Sequence, residues 1–246
     1  MNKAKVYAVG IGPGDEKYLT AQARAALDES ELIFGYTVYT ELLRPLYPEK
    51  EYRCTAMTQE LSRCRMALEA AAEGRACAVI CSGDAGVYGM ASPLLELAGE
   101  FPGVEIEVVP GITAALSGGA LLGAPLAHDF CVISMSDRLT DMEVIRKRLR
   151  AAAQGDFAIA IYNPSSKGRP EHLRHAAELL MQSGKAPDTV CGIVRQIGRE
   201  GESIEILSLL ELSKAETDMF STVFIGNADT IEIGGRMLTP RGYRGK

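Results

Sequence analysis

The sequence predicts an α/β protein built as two α/β/α lobes, and three observations carry that prediction. Short apolar runs alternate with segments of helical spacing along most of the chain, as expected for strands in a helix-covered sheet. Tight glycine loops close several of these runs at their carboxyl ends, where α/β sheets place ligands. Near mid-chain, Gly123-Ala124-Pro125 punctuates the pattern and divides the 246 residues into lobes 1–122 and 123–246.

Lys5 to Gly10 is an apolar strand that runs into the loop Gly10-Ile11-Gly12-Pro13-Gly14-Asp15. Leu19 to Leu27 has helical spacing, and Glu31 to Phe34 reads as a second strand. Thr58 is placed to cap a helix reaching Glu73, with Glu60 and Leu61 in its first turn and Gly74 as its stop. A strand from Ala76 to Ser82 follows, then the loop Gly83-Asp84-Ala85-Gly86, a helix to Ala98 and a strand from Val104 to Val109. After Pro110-Gly111-Ile112-Thr113, a small-residue helix spans Ala114 to Leu122. The second half reads as a strand Phe130 to Met135, a helix after Thr140-Asp141, a strand Phe157 to Tyr162 and a helix from Pro170 to Gly184. Strands near Thr189 to Val194, Ser203 to Leu207 and Thr222 to Ile225 have less helix between them, which predicts a mixed sheet. Arg236, Arg241, Arg244 and Lys246 form a basic tail, read as a disordered terminus.

A net charge of -6 and a pI near 5.3 argue against nucleic acid as a partner, which would need a clustered basic surface. The run Ala76 to Cys81 is far short of the roughly 20 apolar residues that span a bilayer, and the N-terminus lacks a signal pattern. The chain is therefore read as cytoplasmic, with no membrane partner. Cys54, Cys64, Cys77, Cys81, Cys131 and Cys191 include no Cys-x-x-Cys pair, and His128, His172 and His175 are the only histidines. That spacing argues against a metal site and for reduced thiols, several on buried strands.

The first glycine loop invites a dinucleotide reading that its spacing refuses. Asp15 stands where the third glycine belongs, and Pro13 removes one of the N–H groups a phosphate cradle needs. Asp15 is left as an acceptor or a lock for the loop. In the second loop, Gly83, Gly86 and Gly89 allow close approach while Asp84 offers a carboxylate, which suits an ammonium or a ribose hydroxyl better than a phosphate. Asp84 as the cap of the following helix is the competing reading. The third, Pro110-Gly111-Ile112-Thr113-Ala114-Ala115, leads into small residues that leave room for a flat group.

Val9-Gly10-Ile11-Gly12-Pro13-Gly14-Asp15, then Ser82-Gly83-Asp84 with Val87-Tyr88-Gly89, then Pro110-Gly111-Ile112-Thr113-Ala114 together resemble the tetrapyrrole methylases. The segments His128 to Asp137 and Ile161 to Lys167 resemble the precorrin-3B branch of that family, which acts at carbon 17. The resemblance covers essentially the whole chain. It implies a homodimer of two-lobed subunits with S-adenosyl-L-methionine folded in the inter-lobe cleft, not a Rossmann methyltransferase site, and a precorrin or cobalt-precorrin as substrate. Carried over by motif, Pro13, Gly83, Asp84, Val87, Thr113, Ala114 and Tyr162 line the cofactor. Ala85 stands where the family often has Pro, and Gln196 where related chains commonly have Asn.

Methyl transfer from a sulfonium to a ring carbon needs alignment in a water-poor site and no nucleophilic side chain. The implied ring contraction, which expels carbon 20 with its oxygen, benefits from a positioned acid or base, for which His128, Asp129, Asp137 and Asn163 are candidates; of these, His128, Asp137 and Asn163 are preferred. Such a substrate carries many carboxylates, so an acidic protein needs local cations: Arg138, Lys167, Arg169 and Arg195, on loops after strands, are placed to supply them. Two other readings stay open, a related methylase acting on another target, such as a different corrin carbon or diphthamide, and a noncatalytic α/β ligand-binding protein.

Overall fold

The computed structural model describes residues 4–243. In the first of two compact units, Met1–Ala114, β1 (Lys5–Gly10), β2 (Leu32–Tyr36), β3 (Glu51–Thr55), β4 (Cys77–Cys81) and β5 (Glu105–Val109) form an all-parallel sheet in the order β3-β2-β4-β1-β5. Helices α1 (Ala21–Glu29), α2 (Thr37–Leu43), α3 (Glu60–Ala72) and α4 (Ala91–Leu97) make the connections. Successive residues of β1 serve opposite faces. Val6 and Ala8 join Phe34, Val79, Cys64, Leu68 and Leu94 beneath α3 and α4, whereas Tyr7 and Val9 join Ile33, Ile80, Ala23, Leu27 and Leu43 beneath α1 and α2. Covering both faces requires the near-continuous apolar strands seen in the sequence, and each fully buried side chain of Leu or Phe size contributes about 1.5–3 kcal/mol.

Local chemistry sets the helix ends. Thr20 caps α1 by accepting from the Ala23 N–H at 3.0 Å. At the end of α3, Gly74 turns left-handed (φ 96°), donating to the Ala71 carbonyl while Arg75 donates to that of Ala70, a Schellman closure. The start of α3 differs from expectation. Thr58 does not cap it: its φ is 73°, its N–H donates to Glu60 Oε1 at 3.2 Å, and Gln59 occupies the cap position with its side chain turned back to accept from the Ala56 N–H rather than from the helix. The acid of the first turn instead reaches back to the turn before the helix and steadies it.

The second unit, Ala115–Lys246, begins inside α5 (Ala114–Leu122), earlier than the expected Gly123 junction. The reason is packing. Gly118 lies against Ile197 and Phe224, and Gly192 against Leu122, so small residues seat this helix on the second sheet. After β6 (Gly123–Ala124) come β7 (Phe130–Ser134), α6 (Met142–Gln154), β8 (Ala158–Tyr162), α7 (His172–Gln182), β9 (Val190–Arg195), β10 (Ser203–Ser208), α8 (Leu209–Leu212) and β11 (Ser221–Ile225). The sheet is mixed, in the order β10-β9-β11-β8-β7, with only β7 and β8 parallel neighbours. Its other face packs Ile133, Ile159, Ile161, Ile193 and Val223 against Ile145, Leu149, Leu173 and Leu180.

A hairpin of β12 (Ile231–Ile233) and β13 (Arg236–Leu238) adds a three-stranded sheet with β6. Thr239 fastens it, donating from Oγ1 to the Pro125 carbonyl at 2.6 Å. This corrects the expectation of a disordered basic tail: Arg236 belongs to a paired strand, and Met237 beside it is fully buried. Arg244 and Lys246 lie outside the described residues.

Candidate functional site

In the first unit the carboxyl ends of the adjacent strands β4, β1 and β5 carry the three glycine loops, and those loops are tied together. Gly12 and Gly83 exchange a reciprocal pair of backbone hydrogen bonds, at 3.1 and 2.8 Å. A Cβ on Gly10 would lie 2.7 Å from the Gly83 carbonyl oxygen, and one on Gly111 would collide with the same atom. Glycine is required because three backbones meet there. Gly83 itself is left-handed (φ 72°) and faces Thr113.

Asp84 completes the lock. Its Oδ1 accepts from the Gly86 N–H at 2.7 Å and its Oδ2 from the Gly111 N–H at 2.8 Å, so one carboxylate joins the second loop to the third. It does not cap α4, whose N-cap residue is Met90. Each oxygen keeps acceptor capacity for a ligand hydroxyl or ammonium. Asp15 proves to be a lock as well: Oδ1 takes the Lys17 N–H at 2.9 Å, which holds its carboxyl below its usual range. Pro13 is buried after Gly12, and Val87, Thr113 and Ala114 are half-buried. Six of the seven cofactor positions expected from the motifs (Pro13, Gly83, Asp84, Val87, Thr113, Ala114) therefore belong to this loop set. The seventh, Tyr162, ends β8, where its hydroxyl accepts from the Ala115 N–H at 2.6 Å in the first turn of α5.

In the second unit, Asp137 Oδ1 accepts from Arg169 Nη1 at 3.2 Å, and Asp137 Oδ2 lies 3.8 Å from His172 Nε2. His172 Nδ1 is 3.2 Å from the Met135 carbonyl, which fixes the ring with Nε2 toward the carboxylate. These residues line a hollow of about 390 Å³ floored by Met135, Met142 and Leu149. His172 was not among the sequence candidates. Nothing local in the sequence ties it to Asp137; the two meet only because α7 starts beside the turn after β7. Asn163 is left-handed (φ 52°) and donates from Nδ2 to Ser134 Oγ at 3.0 Å. His128 stands apart, exposed and in contact with its neighbour Asp129. Arg138 and Lys167 are exposed, whereas Arg195 is engaged by Glu205 at 2.9 Å and by the Glu216 carbonyl.

The sequence profile of the Tetrapyrrole (Corrin/Porphyrin) Methylases matches residues 5–213, which takes in every one of these loops. The chain belongs to that family. It is 44% identical over 236 residues to a probable cobalt-factor III C(17)-methyltransferase of Salmonella typhimurium, covering 96% of this chain and 98% of that one. It is 43% identical to the cobalt-factor III methyltransferase of Priestia megaterium over 99% of this chain, and there spans 46% of the relative's length. The solved structure of the methyltransferase CobJ superposes with a TM-score of 0.88 at 41% identity, over 96% of this chain and 99% of that one. The tetrapyrrole methylase fold, a parallel α/β sheet in one unit and a mixed one in the other, is thus that of this chain.

Proposed function

We propose that the protein is an S-adenosyl-L-methionine-dependent C-methyltransferase that methylates carbon 17 of a precorrin-3B or cobalt-precorrin-3 macrocycle, with ring contraction, in cobalamin biosynthesis. The 44% identity, over nearly the whole of both chains, to a probable cobalt-factor III C(17)-methyltransferase carries this reading. The loop chemistry fits the cofactor. Fused glycine backbones give a surface close enough for a flat group, and Asp84 presents carboxylate lone pairs beside it. Bound there, the cofactor supplies an electrophilic methyl group.

The chain's own residues orient and exclude. Pro13, Gly83, Asp84, Val87, Thr113 and Ala114 hold the donor, with Tyr162 at the end of β8. Asp137, in contact with Arg169 and His172, Asn163 and His128 are the groups proposed to orient the reacting centre or to hold or move a proton there. Arg138, Lys167 and Arg169 supply positive field for substrate carboxylates, and Arg195 contributes from within its own ion pair. Among the described residues no helix is long and apolar enough to cross a membrane. A cytoplasmic homodimer is part of this proposal and rests on the family resemblance alone.

The test is incubation of the protein with methyl-labelled S-adenosyl-L-methionine and either metal-free or cobalt-containing tetrapyrroles, with products read by mass spectrometry. Label at carbon 17 of a contracted macrocycle is the expected result. Label at another carbon reassigns the target, and binding without transfer leaves a noncatalytic protein.

A further inference from the structure

Arg63 lies in α3 and is 3% exposed, yet its guanidinium forms no ion pair among the described residues. Its hydrogen bonds go to neutral atoms: Nε donates to Thr55 Oγ1 at 2.8 Å, Nη2 to the Ala56 carbonyl at 3.2 Å and Nη1 to Met90 Sδ at 3.6 Å. Glu60, three residues earlier, attracts the charge without bonding to it, its Oε1 accepting instead from the Thr58 N–H. Burial outweighs that attraction and holds the guanidinium below its ordinary value. A buried cation without a carboxylate gives the fold little that an apolar side chain of similar size could not, and such replacements are often neutral or stabilising. What arginine adds is direction, a rigid fork that bonds on two sides at once.

Those two sides are the end of β3 and the far end of the second glycine loop. Thr55 closes β3 and Ala56 follows it, whereas the buried Met90 comes directly after loop residues 83–89. The near end of that loop is fixed by the Gly12–Gly83 pair and by Asp84 on Gly111. Its far end folds back onto the same residues. A Cβ on Gly89 would lie 2.5 Å from the Asp84 carbonyl oxygen, and the Ala91 N–H donates to the Ala85 carbonyl at 2.9 Å. Met90 therefore stands between two residues packed on the backbone of Asp84 and Ala85, and in so close a packing a shift at Met90 reaches Asp84.

We infer that Arg63 is a positioning residue for the cofactor: by tying Met90 to the end of β3, it holds the Asp84 carboxylate at the place where its remaining lone pairs meet S-adenosyl-L-methionine. The inference rests on the reading of these loops as the cofactor site. Arg63 itself is too buried to touch the ligand and acts through the loop alone.

The experiment compares wild type with Arg63→Met, Arg63→Lys and Met90→Leu by thermal melting, by calorimetry with S-adenosyl-L-methionine well below the melt, and by kinetics with the tetrapyrrole that wild type turns over. Arg63→Met is expected to melt within about 3 °C of wild type. Its dissociation constant and KM for S-adenosyl-L-methionine are expected to rise about tenfold, with kcat at saturating cofactor and KM for the tetrapyrrole unchanged. Arg63→Lys should lose affinity as well, because an ammonium cannot reproduce the fork. Met90→Leu conserves volume while removing the sulfur acceptor; it should weaken binding about threefold in wild type and add little to Arg63→Met, the coupling expected of one shared contact. Unchanged cofactor affinity in Arg63→Met or in Met90→Leu overturns the inference, and the second variant decides it if the first does not fold. Full affinity in Arg63→Lys overturns it too, since charge alone would then suffice. If wild type binds no S-adenosyl-L-methionine, the reading of the loops falls and this inference with it, a failure seen before any variant is made.

Discussion

Asp84 shows how one side chain can be both structural and functional. Two backbone N–H groups from different loops converge on its two oxygens, so an isosteric amide cannot replace it: the asparagine NH2 group would face one of those donors. Asp84→Asn should therefore lose about 1–3 kcal/mol of stability and weaken S-adenosyl-L-methionine binding together, read by thermal melting and calorimetry. A variant that loses stability while binding the cofactor normally would mark Asp84 as a loop staple alone. The carboxylate's importance was legible in the sequence from its place among Gly83, Gly86 and Gly89. Its partner Gly111 was not, because the bond joins two loops brought together only by the strand order β4-β1-β5.

Among elements, legibility followed burial and local chemistry. The helix Ala114–Leu122 has the bounds its small-residue run predicts, and the strands buried on both faces, such as β4, stood out as apolar runs. The helix α2 and strand β3 were missed, since β3 is an edge strand with mostly exposed residues and shows little alternation. The hairpin of β12 and β13 was missed for a similar reason: its exposed isoleucines alternate with charge over only a few residues. Two glycines separate the two demands that backbone can make. Gly74 is left-handed with open space around it, so Gly74→Ala should cost about 1 kcal/mol from conformation alone and leave cofactor binding intact. Gly111→Ala drives a methyl group into the Gly83 carbonyl and should cost about 1–3 kcal/mol while also weakening cofactor binding. Equal effects of the two on binding, measured by calorimetry, would separate the loop lock from the cofactor.

Across the whole molecule the thiols set an alkaline limit. Burial pushes Cys64 and Cys191 up to about 12 and Cys77 and Cys81 up to about 11, from an ordinary value of 9.0. In the unfolded chain these groups ionise near that ordinary value while in the fold they stay protonated, so their contribution is fully present below about pH 9 and is lost as pH rises through 11 to 12. Melting temperature should fall steadily above pH 9. At neutral pH a thiol reagent should modify the exposed Cys54 first, with the buried four reacting only on unfolding. On the acid side, Arg75 and Lys5 hold Glu51 and Glu107 below their usual range; that contribution is present above the ordinary carboxylate range and is lost as pH falls through the lowered values, and it is small because solvent reaches both ion pairs. The three-loop lock has a consequence of a different kind. Loops already fastened to one another by Gly12, Gly83, Asp84 and Gly111 have surrendered their conformational freedom during folding, so a ligand arriving there need not order them. Association with this wall of the site carries little entropic penalty and little rearrangement of the backbone, and the binding energy remains free to be used in aligning the methyl group with its acceptor.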